Sequence, residues 1–166
     1  MKAELGAPVF DLAAVPFVLP DGSVTSSTEH ELKLGSVTLN AGILSMGNPH
    51  AVIMVDDCAA TPVAKIGPMI QALDVFPDSV NVGFMEIKSR EAIALRVFER
   101  GVGETLACGS GACAAVVHGI KLGLLSPEVT VDLPGGKLIV SWTGGRDAVW
   151  LSGPAETVFQ GKLNLR

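Results

Sequence analysis

The stretch that decides the fold is residues 99–122, which reads ERGVGETLACGSGACAAVVHGIKL. Its second part, from about Gly109 to Leu122, is rich in alanine and valine and has small or apolar residues on nearly every side. A helix that is apolar all round is buried. In the first part, Glu99 and Arg100 end a strand, and a turn that contains glycine follows. The sequence therefore predicts a buried helix that begins just after a strand and a turn.

Short apolar segments separated by glycine lie on both sides of this helix in the sequence. In residues 92–99, Ile93, Leu95 and Val97 alternate with other residues, as in a strand with one buried face. Further strands are predicted at residues 22–26, 36–46, 51–55, 80–88, 128–133, 137–142, 148–151 and 156–163. Strands around one buried helix indicate the α+β class, here with mixed or antiparallel strands wrapped around a central helix.

A second helix is predicted after residue 60. Thr61 can cap it, with Pro62 in its first turn. Apolar residues between positions 63 and 73 form its buried stripe, and we expect Pro68 to split it in two.

Composition restricts the class of protein. The chain has 166 residues, which suffice for one domain. Of these residues 48% are hydrophobic and 17% are charged, and the mean hydropathy is +0.45. Either the core is large, or an apolar face is covered by something absent here. A net charge of -5 argues against binding to nucleic acid or an anionic membrane, and no apolar run is long enough to span a bilayer. Three cysteines argue against a disulfide framework, so the cytoplasm is expected.

Cys108 stands at the N-terminus of the buried helix. The first N–H groups of a helix have no intrahelical partners, and the aligned peptide dipoles favour negative charge there. We therefore expect a lowered pKa for the Cys108 thiol, and we expect Gly109 to let a carboxylate approach the same N–H groups. Cys108 can then act as a base on a substrate held by its carboxylate. A buried structural cysteine before a glycine-rich cap fits the local pattern equally well.

Two other segments contain candidate polar side chains. Asn48 precedes a proline, which favours an extended backbone and lets its side chain project from a turn. On local grounds, an Asn-Pro turn with His50 capping a strand is the simpler interpretation. Asn81 interrupts a strand, so it must satisfy several hydrogen-bonding positions, either in a structural network or on a ligand.

The remaining cysteines and histidines are given structural interpretations. Cys113 lies inside the buried helix as a small core residue, and Cys58 is incidental. We expect His30 to be exposed and His118 to lie on a helix surface. The cysteines form no C-x-x-C pair and the histidines are far apart, so no metal site is predicted.

Several blocks of the sequence resemble the diaminopimelate epimerase family in order and spacing. Four of them are residues 47–50 (GNPH), 80–84 (VNVGF), 99–105 (ERGVGET) and 107–114 (ACGSGACA). Residues 133–136 (LPGG) and 152–155 (SGPA) are similar to its C-terminal end. The resemblance covers nearly the whole chain.

The resemblance implies a fold of two pseudo-symmetric halves and an activity, the conversion of LL- to meso-diaminopimelate in lysine biosynthesis. Two cysteines, one from each half, do this without pyridoxal phosphate, another cofactor or a metal. The family's first cysteine lies in a Cys-Gly-Asn-Gly segment that this sequence lacks. Residues 1–166 are therefore expected to be the C-terminal domain, with the N-terminal half absent, and to be inactive alone. The expected partners are diaminopimelate, the missing half with its cysteine and, at full length, a second copy in a homodimer.

The resemblance also implies roles for individual residues. Cys108 resembles the second catalytic cysteine, and Glu99 the residue that tunes its pKa and touches the substrate amine. His50 resembles the partner of the other cysteine. Phe159 falls where the family has an aromatic residue at its dimer interface. The positions similar to the family's substrate-binding residues are Asn48, Asn81, Glu99, Arg100, Gly109 and Ser110.

Two alternatives remain open at this point. One is another racemase or isomerase of the same architecture that works without pyridoxal phosphate, either proline racemase-like or phenazine-biosynthesis-like. Asn48, Asn81 and Arg100 together favour a substrate with a polar far end over proline. The other alternative is a non-catalytic binding or assembly domain.

Overall fold

The computed structural model describes residues 1–19 and 27–163, and in that part the chain forms ten strands and two helices. The helices are α1 (Val63–Gln71) and α2 (Gly109–Lys121). The strands are β1 (Lys2–Glu4), β2 (His30–Leu34), β3 (Val37–Ser45), β4 (Pro49–Met54), β5 (Asn81–Ser89), β6 (Ala92–Glu99), β7 (Gly103–Thr105), β8 (Glu128–Leu133), β9 (Gly136–Ser141) and β10 (Trp150–Ser152). The α+β class is confirmed.

One mixed sheet contains all ten described strands, in the order β1-β10-β9-β8-β6-β5-β4-β3-β2, with β7 paired to β6. Most neighbours are antiparallel, but β4–β5 and β6–β8 are parallel. β6 is paired along one side with β5, and along its other side first with β8 and then with β7. The end of β6 therefore lies in the interior of the sheet, next to the strand that leads into α2.

The two faces of the sheet carry separate hydrophobic cores. Val52 and Met85 face α2, whereas Ile53 and Phe84, their neighbours in sequence, belong to the core beneath α1. β4 is buried on both faces over five consecutive residues, 49–53. Double-sided burial requires near-continuous apolar strands, which accounts for much of the high hydropathy. None of the helices in the described ranges is long and apolar enough to cross a membrane.

α2 is the central buried helix that the sequence predicts. Every residue from Gly111 to Gly119 is buried, including His118 at 2% exposure. The prediction of a surface position for His118 is wrong, because Gly42 of β3 leaves room for its ring. A Cβ added at Gly42 would lie only 2.2 Å from His118 Nδ1.

His30 is also buried rather than exposed, so that prediction is wrong as well. Its ring packs on Phe17, with the ring centroids 5.1 Å apart. Phe17 belongs to the segment before β2, which covers this end of the sheet and shields the histidine from water.

α1 differs from its prediction in two details. Its N-cap is Pro62, and the Thr61 hydroxyl donates instead to the carbonyl of Asp57 at 2.7 Å. Pro68 lies inside the helix without splitting it. Pro68 and Ala64, whose carbonyl loses its helical donor, are both exposed, so water can satisfy that carbonyl.

The strand predicted at residues 156–163 is wrong. These residues are exposed and form no strand, and β1 occupies the place beside β10. Lys2 pairs with Ser152, and Gly153 N donates to the carbonyl of Met1. The strand predicted at 22–26 lies outside the described residues.

Candidate active site

Three strand ends meet at one end of the sheet. β4 and β5 run parallel and both begin there, with His50 paired to Asn81. β6 runs antiparallel to β5 and ends there at Glu99. β7 pairs with that end of β6 and leads directly to the N-terminus of α2. Segments that are tens of residues apart in sequence therefore deliver their polar residues to one place.

Asn81 ties two of these strand ends together. Its Nδ2 donates to the carbonyl of Pro49 at 3.1 Å, and its Oδ1 accepts from the backbone N–H of Arg100 at 2.9 Å. The side chain of Arg100 is held in turn, because Nη1 donates to the carbonyl of Asp78 at 2.9 Å. Asn81 is buried, and these two bonds place its amide in a structural network, with one N–H left over.

Asn48 and His50 form a pair in the turn before β4. Asn48 Oδ1 lies 2.9 Å from His50 Nε2. Burial, with a smaller contribution from the charge of Arg100, lowers the pKa of His50 to about 4. The imidazole is therefore neutral at pH 7, and because Oδ1 can only accept, Nε2 carries the proton and Nδ1 is the acceptor nitrogen.

Cys108 is the N-cap of α2, with an extended backbone, and the first helical bond runs from the Ala112 N–H to its carbonyl. The N–H groups of Gly109, Ser110 and Gly111 precede that bond and have no helical acceptor. The sulfur lies 3.7 Å from the Ser110 hydroxyl, and a Cβ added at Gly111 would lie 3.2 Å from it. The sulfur therefore faces the first turn of the helix, as the sequence predicts.

The expected lowering of the Cys108 pKa is wrong. Burial raises the pKa of the thiol, and the Gly111 N–H and the Ser110 hydroxyl, which lower it, do not compensate. Cys108 is only 6% exposed and packs within the core around α2. Burial destabilises the thiolate more than the hydrogen bonds at the helix N-terminus stabilise it. The uncharged thiol is therefore the favoured form at neutral pH.

Glu99 lies beside this thiol. Its carboxylate raises the pKa of Cys108 further, both as a hydrogen-bond partner and through its charge. One carboxylate oxygen, Oε1, accepts a hydrogen bond from the Thr105 hydroxyl at 2.5 Å. Sequence reasoning missed Thr105, because β7, which brings it close to Glu99, is too short to show a periodic pattern.

The cluster thus combines a thiol, a carboxylate and free helix N–H groups. No acidic residue occupies the first turn of α2, so the N–H groups of Gly109 and Ser110 can receive an anion without competition from a side chain there. A ligand carboxylate is one anion that fits this arrangement, with the thiol beside it. The described residues contain no group of three His, Cys, Asp or Glu that could hold a metal ion.

The other sequence candidates lie elsewhere. Phe159 is 84% exposed in the segment after β10. Cys113 is fully buried in α2, and burial raises its pKa to about 12, which confirms it as a core residue. Cys58 is buried too, and its thiol donates to the carbonyl of Phe84 at 3.3 Å.

Comparison with known families decides the family. The family model described as diaminopimelate epimerase matches residues 42–158, which include every residue of the cluster. This chain belongs to the diaminopimelate epimerase family. Relatives from Ralstonia nicotianae and Alkalilimnicola ehrlichii, both named diaminopimelate epimerase, are 52% and 49% identical to it over 99% of the chain. The chain spans 58% of the length of each of these two members of the family.

Solved structures support the fold. A hydroxyproline epimerase from Agrobacterium vitis matches 76% of this chain and 45% of its own, with a TM-score of 0.57 and 15% identity. A predicted epimerase from Pseudomonas aeruginosa matches 96% of this chain and 58% of its own, with a TM-score of 0.54 and 16% identity. At such identities the likeness concerns the architecture, which this member of the family shares with both.

Proposed function

We propose that this chain is the C-terminal domain of a diaminopimelate epimerase and supplies one of its two catalytic cysteines, Cys108. The observation that carries the proposal is the convergence of Cys108 and Glu99 on the open N-terminus of α2. The relatives named diaminopimelate epimerase support diaminopimelate as the substrate. The reaction inverts one α-carbon, so a proton leaves one face and another arrives at the opposite face.

In this proposal the helix N-terminus holds the substrate's α-carboxylate. The N–H groups of Gly109 and Ser110 bind its oxygens, and glycine at position 109 allows close approach. An amino-acid α-proton is far less acidic than a thiol, so its removal requires stabilisation of the charge that develops on the carboxylate. Fixed N–H groups in a site without bulk water provide that stabilisation.

Cys108 is the proton donor in this proposal. Because burial keeps it as a thiol at neutral pH, it is poised to deliver a proton to the carbanion. Glu99 accepts a hydrogen bond from the thiol and meets the substrate ammonium. The opposite face then needs a base, which the proposal assigns to a cysteine in the part of the relatives' length that this chain does not span. Neutral His50, with Nδ1 as an acceptor, is the proposed partner of that cysteine.

The distal polar end of diaminopimelate is proposed to meet Asn48 and Arg100. The side chain of Asn48 contacts His50 and that of Arg100 contacts the carbonyl of Asp78, and these contacts restrain both side chains. Phe159 is proposed to lie in a homodimer interface of the full-length protein, in agreement with its exposure in this chain. We also propose that the protein works in the cytoplasm without a cofactor.

Complementation tests this proposal. The chain is co-expressed with the remaining N-terminal segment of the Ralstonia nicotianae relative, and conversion of LL- to meso-diaminopimelate is measured. The chain alone should show little or no conversion, and the pair should recover it. Cys108→Ala should abolish the recovered activity, whereas Cys113→Ala, a matched loss of a thiol one turn and a half further into α2, should retain it.

Ligand protection gives a second measurement. Iodoacetamide labelling of Cys108, followed by mass spectrometry of its peptide, should slow in the presence of diaminopimelate and not of proline. Protection by proline instead would favour a proline racemase-like function. Both halves folded but inactive together, with labelling of Cys108 unaffected by diaminopimelate, would favour a non-catalytic binding domain and refute the proposal.

A further inference from the structure

Among the described residues, the Thr105 side chain has one hydrogen-bond partner, which is Glu99. Thr105 Oγ1 donates to Glu99 Oε1 at 2.5 Å, between two half-buried side chains. Register explains the contact. β7 runs back along the end of β6, with Thr105 opposite Val97 and Gly103 opposite Glu99. Thr105 therefore lies on the same face as Glu99 and diagonally across from it, within reach of its long side chain.

The hydrogen bond from Thr105 restricts the rotation of the Glu99 side chain. A glutamate has three rotatable side-chain bonds, and fixing a long polar side chain costs up to about 2 kcal/mol of rotamer entropy. A hydrogen bond to an ionised oxygen is shorter and stronger than a neutral one. Thr105 therefore holds Oε1 in place and leaves Oε2 for another donor. The thiol of Cys108 is one such donor, since the Glu99 carboxylate acts on it and raises its pKa.

The peptide chain couples the same residue to the helix. Only Leu106 and Ala107 separate Thr105 from Cys108, the N-cap of α2. The Leu106 carbonyl accepts from the Gly135 N–H at 2.7 Å, in the turn between β8 and β9. This bond holds the short segment between Thr105 and Cys108 in place. Thr105 joins the two parts of the site, the end of β6 and the start of α2.

We propose that Thr105 is a positioning residue, which holds the Glu99 carboxylate beside the Cys108 thiol through its hydroxyl. This inference adds detail to the proposed function and rests on it, because it assumes that Cys108 and Glu99 form the active site. Thr105 acts on the thiol through Glu99, and it does not touch the substrate. Its hydroxyl is required, and its methyl group is not.

The test is the pH profile of iodoacetamide alkylation at Cys108 in the folded chain, with no ligand present. A carboxylate held beside the thiol raises the pKa of Cys108, so its release should lower the alkylation midpoint. Thr105→Val, which keeps the shape and loses the donor, should speed alkylation near neutral pH by about threefold or more, from the loss of one charge-assisted hydrogen bond. Thr105→Ser should retain the original midpoint.

A double variant separates positioning from a general structural effect. In a Glu99→Gln background, Thr105→Val should cause no further shift, because the carboxylate through which it acts is gone. Thr130→Val in β8 is the matched control, since Thr130 pairs with Ala92 at the opposite end of β6. Should Thr105→Val fold poorly in circular dichroism, Thr105→Ala provides the same loss of the donor with less bulk.

An unchanged or higher midpoint in the variants that lack the hydroxyl, or an equal shift with Gln at position 99, would overturn the inference. The experiment contains no diaminopimelate, so its outcome is independent of substrate binding. Failed complementation with an intact Thr105 effect would refute the proposed function alone. Recovered epimerase activity without a Thr105 effect would refute this inference alone.

Discussion

Replacement of Gly42 by alanine should destabilise the fold by displacing α2 from the sheet. The ring of His118 lies over Gly42, and an added Cβ would meet its Nδ1, Cε1 and Cγ atoms at 2.2–2.4 Å. His118 is 2% exposed, so the ring has no open space into which it can move. Overpacking a core typically costs about 1–3 kcal/mol. Alanine also reduces the entropy of the unfolded chain, which offsets about 0.4–1 kcal/mol. The expected net loss is about 1–2 kcal/mol.

Gly83 provides a matched control. Gly42 and Gly83 both pair with Val52, one on each side of β4, and neither has a positive φ. A Cβ added at Gly83 would meet only Leu95 Cδ1, at 3.5 Å, which is an ordinary contact. Gly83→Ala should therefore be neutral or slightly stabilising. The gain in unfolded-state entropy is common to both variants, so their difference isolates the contact with His118.

Urea unfolding followed by circular dichroism measures both variants. A Gly42→Ala/His118→Ala double variant should recover part of the loss, with a coupling of about 1 kcal/mol or more between the two positions. Equal stabilities for Gly42→Ala and Gly83→Ala, or no coupling to position 118, would refute the packing argument.

Two further predictions concern buried polar groups. Burial lowers the pKa of His50 and of His118 to about 4, so the unfolded chain, with values near 6.5, binds more protons between about pH 6.5 and 4. The free energy of unfolding should therefore rise with pH in that window, by up to about 2 kcal/mol per histidine between pH 5 and 7. Urea unfolding at several pH values measures this dependence, and His118→Gln should make it less steep. Asn81→Ala should cost about 2–4 kcal/mol because two buried hydrogen bonds are lost. Asn40→Ala, at an exposed position on β3, should cost less than about 0.5 kcal/mol by thermal unfolding, and similar losses at both positions would contradict the assignment of Asn81.

The sequence was most informative where one local signal dominated. The bounds of β6 follow from its alternation, and those of α2 from small residues on all sides, because both patterns reflect burial that the final fold enforces. β7 was missed, since three residues with two turn-forming glycines nearby carry no periodicity. Residues 156–163 have the composition of a strand, but a strand requires a backbone partner, and the place beside β10 belongs to β1 from the other end of the chain.

The sequence predicts which residues form the site better than it predicts their pKa shifts. Cys108 at the N-terminus of α2 could be located from the sequence, and its sulfur does face the first turn. The direction of its pKa shift could not, because burial depends on residues such as Val97 and Ala112 that pack around it only in the folded chain. The burial of His118 likewise depends on a single glycine in another strand, far away in sequence.

The parallel pairing of β6 with β8 has a consequence for folding kinetics. Ala92 is paired with Thr130, so α2 and both turns beside it form the crossover between two neighbouring strands. Closure of such a long segment carries an entropic cost that local hairpins such as β8–β9 avoid. We therefore expect β6 and β8 to pair after the hairpins on either side have formed, so that the N-terminus of α2 reaches its place beside Glu99 late in folding.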